Sequence, residues 1–353
     1  MKNNAPCAWN IIDRKTAWIL ENISSDTLIS FRIRLARNLC GFPFPHNMTR
    51  QQAESVEKTI TETLLSYRNG GQEVFIIQMN GISEIEKGFL FERHMISEEL
   101  TDNHLPCSAV IFPREKISLM INEEDHLRIQ TFCSGILPED ALASADKLDD
   151  YLGYKLPYAF SEKLGFLTAC PTNIGTGLRA SAILHIPALL TTGRAQVLFK
   201  DAEKNGTMVR GFYGEGSENM GGFYQVSSKE TTGRNEKEII ENLQIVVNLI
   251  EKEEEESFSL ISCRKKSAIL RSLRKILEKR TMPSSVFFTL FSKLVLAKKL
   301  GIADFDIKML RGLFFQVLPY HLQYSLGKKM SPEKRDAERS RIVRKQLRSL
   351  LNV

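Results

Sequence analysis

The sequence predicts an α+β protein, with a mainly antiparallel sheet flanked by helices and a C-terminal all-helical domain. Three observations carry this. Short apolar runs bounded by turn residues fill the stretch from Val74 to Phe132. Beyond Ser257 the apolar residues fall only at helical spacing. Charge divides the chain at the same point: Phe258 to Val353 carries 22 Lys and Arg against 6 Asp and Glu, a surplus of +16, whereas Met1 to Ser257 is a net −10. The swing follows the acidic run Glu253 to Glu256 and predicts domains at 1–257 and 258–353.

Taken in order, Gln52 to Tyr67 spaces its apolar residues for one face of an amphipathic helix, with charge on the other face. Val74 to Met79 is a short apolar run. Cys107 to Phe112 and Ile117 to Ile121 flank the turn Pro113-Arg114-Glu115-Lys116, and His126 to Phe132 reads as a third strand after the acidic turn Asn122-Glu123-Glu124-Asp125. Ser181, Ile183 and His185 alternate with Ala182, Leu184 and Ile186, as in a strand pleated over a core. Val197 to Lys200 and Val209 to Phe212 read as further strands. Ile239, Ile240, Leu243, Val246, Val247 and Ile250 line one helix face. Helices at Ile269–Leu277, Ser285–Leu300, Ile307–Tyr320 and Ser331–Leu350 follow, punctuated by Gly301, Pro319 and Gly327.

Several classes are excluded. With 353 residues and 42% hydrophobic content the chain buries a full core, so disordered, collagen-like and small stapled architectures do not apply. Cys7, Cys40, Cys107, Cys133, Cys170 and Cys263 include no Cys-x-x-Cys pair, which argues against a disulfide framework and a cysteine zinc site. Met1 to Asn10 lacks the plan of a secretory signal, and Val286 to Ala297 is too short for a membrane span and is interrupted by Lys293. The expectation is a cytoplasmic protein without membrane contact and without a protein-bound metal. The basic module suits either a solvated surface or a receptor for an anionic group.

Four stretches carry chemistry. In Ser30-Phe31-Arg32-Ile33-Arg34 the alternation puts Arg32 and Arg34 on one face of an extended segment, where two guanidinium forks suit a polyphosphate or simply face water. Asn122-Glu123-Glu124-Asp125-His126-Leu127-Arg128 crowds three carboxylates beside an arginine, which prepares one of them as a base or makes an ordinary acidic turn. Cys170-Pro171-Thr172-Asn173 opens a glycine-bearing loop, whose thiol is either activated by nearby donors or an inert buried group. Arg210-Gly211-Phe212-Tyr213-Gly214-Glu215-Gly216 has the backbone freedom to close over a substrate. No Walker phosphate loop is present.

Together and in this order the four stretches resemble the guanidino-phosphotransferase family, the phosphagen kinases, and within it the bacterial protein-arginine kinases of the McsB type. The resemblance implies an ATP-dependent kinase that transfers the γ-phosphoryl group of Mg-ATP to arginine side chains of proteins, on a mainly antiparallel sheet with flanking helices. It implies that Arg32, Arg34, Arg128, Arg179 and Arg210 hold the nucleotide phosphates, and that Ser30, His94, Ala180, Ser181, Ala182, Ile183 and Gly211 complete the ATP site. Glu124 matches the catalytic carboxylate, Cys170 the thiol beside the guanidinium, and Glu215 a second acid on the closing loop. Arg335-Asp336-Ala337-Glu338-Arg339-Ser340 resembles the motif with which this type binds phosphoarginine as an allosteric signal, through Arg335, Asp336 and Arg339. The same resemblance implies a homodimer through the helical domain, a zinc-binding activator protein and a link to protein quality control, with no nucleic acid required.

Two residues depart from the pattern. Phe31 stands where the family usually has Ser, and Ser340 where the receptor motif usually ends in Ala. Members acting on small guanidino compounds carry a helical domain ahead of the first arginine motif, whereas only 29 residues precede Ser30 here, and a more open site suits an arginine displayed on a polypeptide. Two other readings stay open at this level: a small-molecule guanidino kinase, and a catalytically silent adaptor that recognises phosphoarginine.

Overall fold

The computed structural model describes residues 25–67, 74–112, 116–134, 138–213, 220–229 and 233–351. Pro113 to Glu115 of the expected turn, and Glu215, lie outside the described residues.

The elements run β1 (Leu28–Arg37), α1 (Arg50–Leu65), β2 (Phe75–Gln78), α2 (Glu84–Glu92), α3 (Glu98–Thr101), β3 (Ser108–Ile111), β4 (Ile117–Ile121), β5 (Leu127–Cys133) and α4 (Pro138–Lys155). There follow β6 (Phe160–Ser161), β7 (Gly165–Phe166), β8 (Leu178–His185), α5 (Pro187–Thr192), α6 (Ala195–Lys204), β9 (Thr207–Gly211), β10 (Phe223–Ser228) and α7 (Glu236–Ser259). Five helices close the chain: α8 (Cys263–Leu277), α9 (Ser284–Lys299), α10 (Ile307–Gln316), α11 (Pro319–Ser325) and α12 (Pro332–Leu351). Eight strands hydrogen-bond in the order β2-β3-β4-β5-β1-β8-β10-β9, and β6 pairs with β7. The described chain divides into two compact units, one of residues 30–182 and 227–244, the other of residues 25–29, 183–226 and 245 onward. Helix α7 passes through Ser257, the point of the charge swing.

In the first unit β1 and β5 pair antiparallel, with Ile33 opposite Thr131, Arg34 opposite Gln130 and Ala36 opposite Arg128. Directly opposed residues share a face. One face is therefore Ile33, Leu35, Ile129 and Leu127, all fully buried. Helix α4 covers it, with Ala145, Leu148 and Leu152 at 0% exposure, and the Thr131 hydroxyl donates to Ala141 O at 2.7 Å. Burying each such aliphatic side chain contributes about 1.5–3 kcal/mol. Thr49 and Gln52 close a capping box at the start of α1, and Ser83 and Glu86 another at α2. The opposite face of the sheet is polar, and the candidate site is built on it.

The second unit holds a cluster of phenylalanines, in which Phe212, Phe223, Phe288 and Phe314 are at most 1% exposed. The Phe314 ring lies 5.2 Å from Phe223 and 5.2 Å from Phe288, both steeply inclined as aromatic quadrupoles favour. Gly221 (φ +56°) meets this cluster, because a Cβ there would sit 2.4 Å from Phe288 O. Two expectations are corrected here. Val197 to Lys200, read as a strand, lies inside α6: its buried residues Ala195, Leu198, Phe199 and Ala202 recur three and four apart, whereas Val197 is 67% exposed. A short apolar run is equally compatible with either period. The single helix read from Ile307 to Tyr320 is two, because Leu318, preceding Pro319, is held extended (φ −66°, ψ 153°) and α11 starts afresh on that proline.

Candidate active site

Arg32 and Arg34 project from β1 on the polar face, away from Ile33 and Leu35, and the register sets Arg128 and Gln130 beside them. Strand β8 adds Ser181, which accepts a hydrogen bond from Arg32 Nε at 3.4 Å, and Arg179 two residues earlier shares that side. The four guanidinium groups lie within one another's fields. Burial, then Arg179 and Arg128, pull the Arg32 pKa down to about 9. Burial, then Arg32, Arg179 and Arg128, hold that of Arg34 well below its ordinary value, and Glu123 opposes them. The buried Nε of Arg34 and the Oγ of Ser30, whose residue is 0% exposed, have no hydrogen-bond partner among the described residues. Buried charges of one sign and orphaned polar atoms are costly unless something compensates them. A polyphosphate fits both deficits.

His94 belongs to this cluster. Its backbone is left-handed (φ 59°), and Gln130 Nε2 anchors it by donating to His94 O at 2.7 Å and to Met95 O at 3.0 Å. Burial, then Arg32 and Arg34, hold the imidazole pKa well below the usual value, so the ring is neutral at pH 7. A non-glycine residue in that region of backbone space marks a site where the surroundings impose the conformation.

Arg128 joins the cationic cluster to the acidic turn. Its Nη1 donates to Glu123 Oε1 at 2.6 Å and its Nη2 to Glu124 Oε2 at 2.7 Å. Glu123 is 6% exposed and also accepts from Ser97 Oγ at 2.5 Å. The Glu124 side chain is 39% exposed, open to an incoming group. Burial raises the Glu124 pKa, Arg128 opposes, and Asp125, Glu123 and Glu99 add to the rise. Arg128 thus spends two donors on carboxylates, while Arg34 keeps an unused one.

The Cys170 loop is fastened to the same turn. Asp125 is 0% exposed, and its Oδ1 accepts from Ala169 N at 2.7 Å and from Asn38 Nδ2 at 2.6 Å. Asn38 Oδ1 accepts from His126 N at 2.9 Å, and its Nδ2 also donates to Leu167 O at 3.0 Å. One residue before the cysteine is therefore tied to one residue after Glu124. Cys170 is half-buried, with Sγ 3.0 Å from Thr172 Oγ1. A second brace is Arg37, 2% exposed, which donates to Asp149 Oδ2 at 2.6 and 3.0 Å and to Thr176 O at 2.9 Å, its guanidinium 3.6 Å from the Phe166 ring centroid. Gly177 (φ +66°) admits this, since a Cβ there would lie 2.5 Å from Arg37 Nη1.

The remaining expected residues fall as follows. Ala180 and Ala182 are fully buried on β8, and Ala180 N donates to Ser228 Oγ at 3.2 Å. Ile183, Arg210 and Gly211 belong to the second unit, where Arg210 Nε donates to Met208 Sδ at 3.0 Å. Arg339, expected to grip an anion, is 1% exposed and donates to Val317 O at 2.7 Å, Met282 O at 2.7 Å and Asp336 Oδ1 at 2.6 Å. It pins α12 to the bundle, and Arg335 is the half-buried cation of that motif. Asn38 and Gln130 complete the site without having been assigned to it from sequence, because their partners are remote along the chain, and Glu123 and Asp125 of the acidic turn brace it. Among the described residues no group of three or more His, Cys, Asp or Glu is arranged to hold a metal ion.

Residues 55–257 match the ATP:guanido phosphotransferase C-terminal catalytic domain, and residues 266–352 match the protein-arginine kinase McsB C-terminal domain. A protein-arginine kinase of Caldanaerobacter subterraneus subsp. tengcongensis is 36% identical over 91% of this chain and 97% of its own length. One of Halothermothrix orenii is 37% identical over 91% of this chain and 93% of its own. Among solved structures, the substrate-free duplicated taurocyamine kinase from Schistosoma mansoni is 27% identical with a TM-score of 0.56, covering 65% of this chain, which spans about a third (33%) of that protein. Lombricine kinase shares the fold with a TM-score of 0.57 at 21% identity. A cradle of arginines beside a poised carboxylate is what phosphoryl transfer to a guanidinium requires, and the chain belongs to the ATP:guanido phosphotransferase family.

Proposed function

We propose that this chain is a protein-arginine kinase that transfers the γ-phosphoryl group of Mg-ATP to arginine side chains of proteins. The observation that carries the reading is Arg128, which holds Glu124 by a 2.7 Å ion pair at the edge of the Arg32, Arg34 and Arg179 cluster. Relatives named protein-arginine kinase, matched over nearly their whole length, support a polypeptide acceptor.

The residue types suit the chemistry. A guanidinium is so strongly basic that it is neutral in fewer than roughly one molecule in 10⁵ at pH 7, a deficit of about 7 kcal/mol or more. Glu124, with its pKa raised, takes the proton from the attacking nitrogen, help worth about 10²- to 10⁴-fold, as the N–P bond forms and the bond from the γ-phosphorus to the bridging oxygen breaks, releasing ADP. Cys170, on a loop tied through Ala169 to Asp125, orients the guanidinium, and Glu215 serves as a second acid there. Arg32, Arg34, Arg128 and Arg179, joined by Arg210, Ser30 and neutral His94, bind the phosphates and steady the moving charge, largely by position and field. The Mg²⁺ that accompanies the nucleotide neutralises phosphate charge. Arg34 Nε and Ser30 Oγ are the donors that a bound phosphate chain would engage.

The same proposal assigns 1–257 to catalysis and 258–353 to dimerisation and to phosphoarginine recognition through Arg335, Asp336 and Arg339, with cytoplasmic location and a zinc-binding activator. No described helix is long and apolar enough to cross a membrane. The test is incubation of a protein mixture with Mg-ATP and the chain, followed by mass spectrometry under non-acidic conditions. Phosphate on arginine is expected, and Glu124→Ala and Cys170→Ser are each expected to reduce it sharply. Phosphate on serine or threonine instead, or full activity in both variants, refutes the reading.

A further inference from the structure

In the second unit a concavity of about 740 Å³ opens beside α12, between the residue Arg280 after α8 and the loop that follows α11. Arg280, Lys328, Lys329, Lys334 and Arg344 line it, and none of the five forms an ion pair among the described residues. A sixth cation, Arg341, is neutralised within the wall: Glu338 accepts from its Nε at 2.9 Å and its Nη2 at 2.6 Å. Glu338 also feels Lys328, so six cations and one carboxylate leave five net positive charges around one basin. Their mutual repulsion opposes folding, so the arrangement is informative in a way that scattered lysines are not.

The lysine pair is also held in place. Gln323, 3% exposed, accepts from Lys328 N at 3.1 Å through its backbone oxygen and from Met330 N at 2.8 Å through its side chain. The loop is therefore clamped on both sides of Lys329, and its charges are presented from a fixed backbone. The basin lies on the other side of the receptor stretch: Ala337 and Glu338 line it, whereas Arg335, Asp336 and Arg339 do not.

We propose that this basin binds a compact polyphosphate anion. A ligand that balances five charges inside one hollow must carry its negative charge densely. A triphosphate does so along a few bonds, whereas an acidic peptide spreads one charge per residue, about 3.3 Å of extended chain each. A duplex displays its phosphates on a convex surface. Arginine forks and lysine ammonium groups both serve phosphate oxygens, the former bidentately. Two sources share this chemistry, a nucleoside triphosphate and an inorganic polyphosphate.

The experiment uses the full chain and calorimetric titration with inorganic tripolyphosphate and, in parallel, with ATP. The Arg34→Met background weakens the arginine cluster of the first unit, so that any site there differs in affinity from one in the basin. In that background one tripolyphosphate site is expected to remain, weakening as salt screens it. The triple substitution R280A/K329A/R344A is expected to lower its affinity at least tenfold. The triple variant alone keeps its circular dichroism and basal phosphoryl transfer, which separates loss of the site from loss of the fold. ATP binding as tightly as tripolyphosphate identifies a nucleotide, and tripolyphosphate binding alone identifies the inorganic chain. Loss of all tripolyphosphate binding with Arg34→Met, or no change with the triple variant, overturns the proposal. So does displacement by a glutamate-rich peptide or a single-stranded oligonucleotide that binds more tightly.

Discussion

Arg32 and Arg37 lie five residues apart on one strand, yet replacing each by methionine is expected to move stability in opposite directions. Arg37 is compensated: removing it leaves Asp149, 9% exposed, with the Tyr158 hydroxyl at 3.0 Å and no cation. Stripping one partner from a buried pair costs about 3–5 kcal/mol. For Arg32, burial and then the guanidinium groups of Arg179 and Arg128 take the pKa down to about 9. That shift corresponds to roughly 5 kcal/mol against the charged form. Methionine keeps the volume of the stem and sheds the charge. After loss of its polar contacts, the hydrogen bond to Ser181 at about 1 kcal/mol among them, and of part of the packing, a net gain of about 1–3 kcal/mol is expected. The sign follows from protons. The folded state binds fewer than the unfolded chain between about pH 9 and 12.5, so the penalty is complete below pH 9 and is relieved above it. Urea midpoints by circular dichroism, with hydrogen exchange of the β1 and β5 amides and no nucleotide present, measure both variants. Arg32→Met should also weaken nucleotide binding tenfold or more. Destabilisation of Arg32→Met comparable to that of Arg37→Met would refute the view of Arg32 as a charge held for a ligand.

Two further outcomes are expected. Glu124 must be ionised to act as a base, so its raised pKa places the acid limb of kcat/KM above 4.5, and Arg128→Met, by removing the opposing cation, moves that limb higher. A pH–rate profile that stays put or shifts downward in the variant contradicts this. Glu254, 1% exposed, accepts from Ala188 N at 2.8 Å and Leu189 N at 2.7 Å at the start of α5, and burial pushes its carboxyl up to about 7. The folded state then holds the extra proton between about pH 4.5 and 7, and stability falls by up to roughly 3 kcal/mol as pH rises through that window. Thermal unfolding of Glu254→Gln across the window should lose most of this slope, and an unchanged slope would show that the group titrates normally.

What was legible in the sequence is what depends on local period. Alternation alone separates Arg32 and Arg34 from Ile33 and Leu35, and the structure keeps that division. Arg339 was legible in principle too. It falls at helical spacing with buried Val343 and Leu347, so the stripe that packs α12 includes it, and its charge meets the Val317 and Met282 carbonyl oxygens and the Asp336 carboxylate. The run from Val197 to Lys200 misled because four residues do not distinguish a period of 2.0 from one of 3.6. Pairings between remote segments were not legible at all. Nothing in the sequence near Arg128 announces that it lies across from Ala36, and nothing near Asn38 announces Asp125.

Those remote pairings also decide the chemistry. Without Arg128 the acidic turn would hold Glu124 still further above an ordinary carboxylate, since burial, Asp125, Glu123 and Glu99 all raise its pKa, and an arginine strand by itself would be a solvated surface. The β1–β5 register places Arg128 beside both, so on the proposed mechanism the charge that would draw the phosphates also restrains the carboxylate that would accept a proton. A bound polyphosphate would draw the field of Arg128 toward itself and weaken its hold on Glu124, raising the proton affinity of that carboxylate further once nucleotide is in place. Binding of the donor and readiness of the base are then linked through one guanidinium. Substituting Arg128 should therefore disturb the pH dependence of free enzyme more than that of the nucleotide complex, an asymmetry that an arginine serving only as a phosphate ligand would not produce.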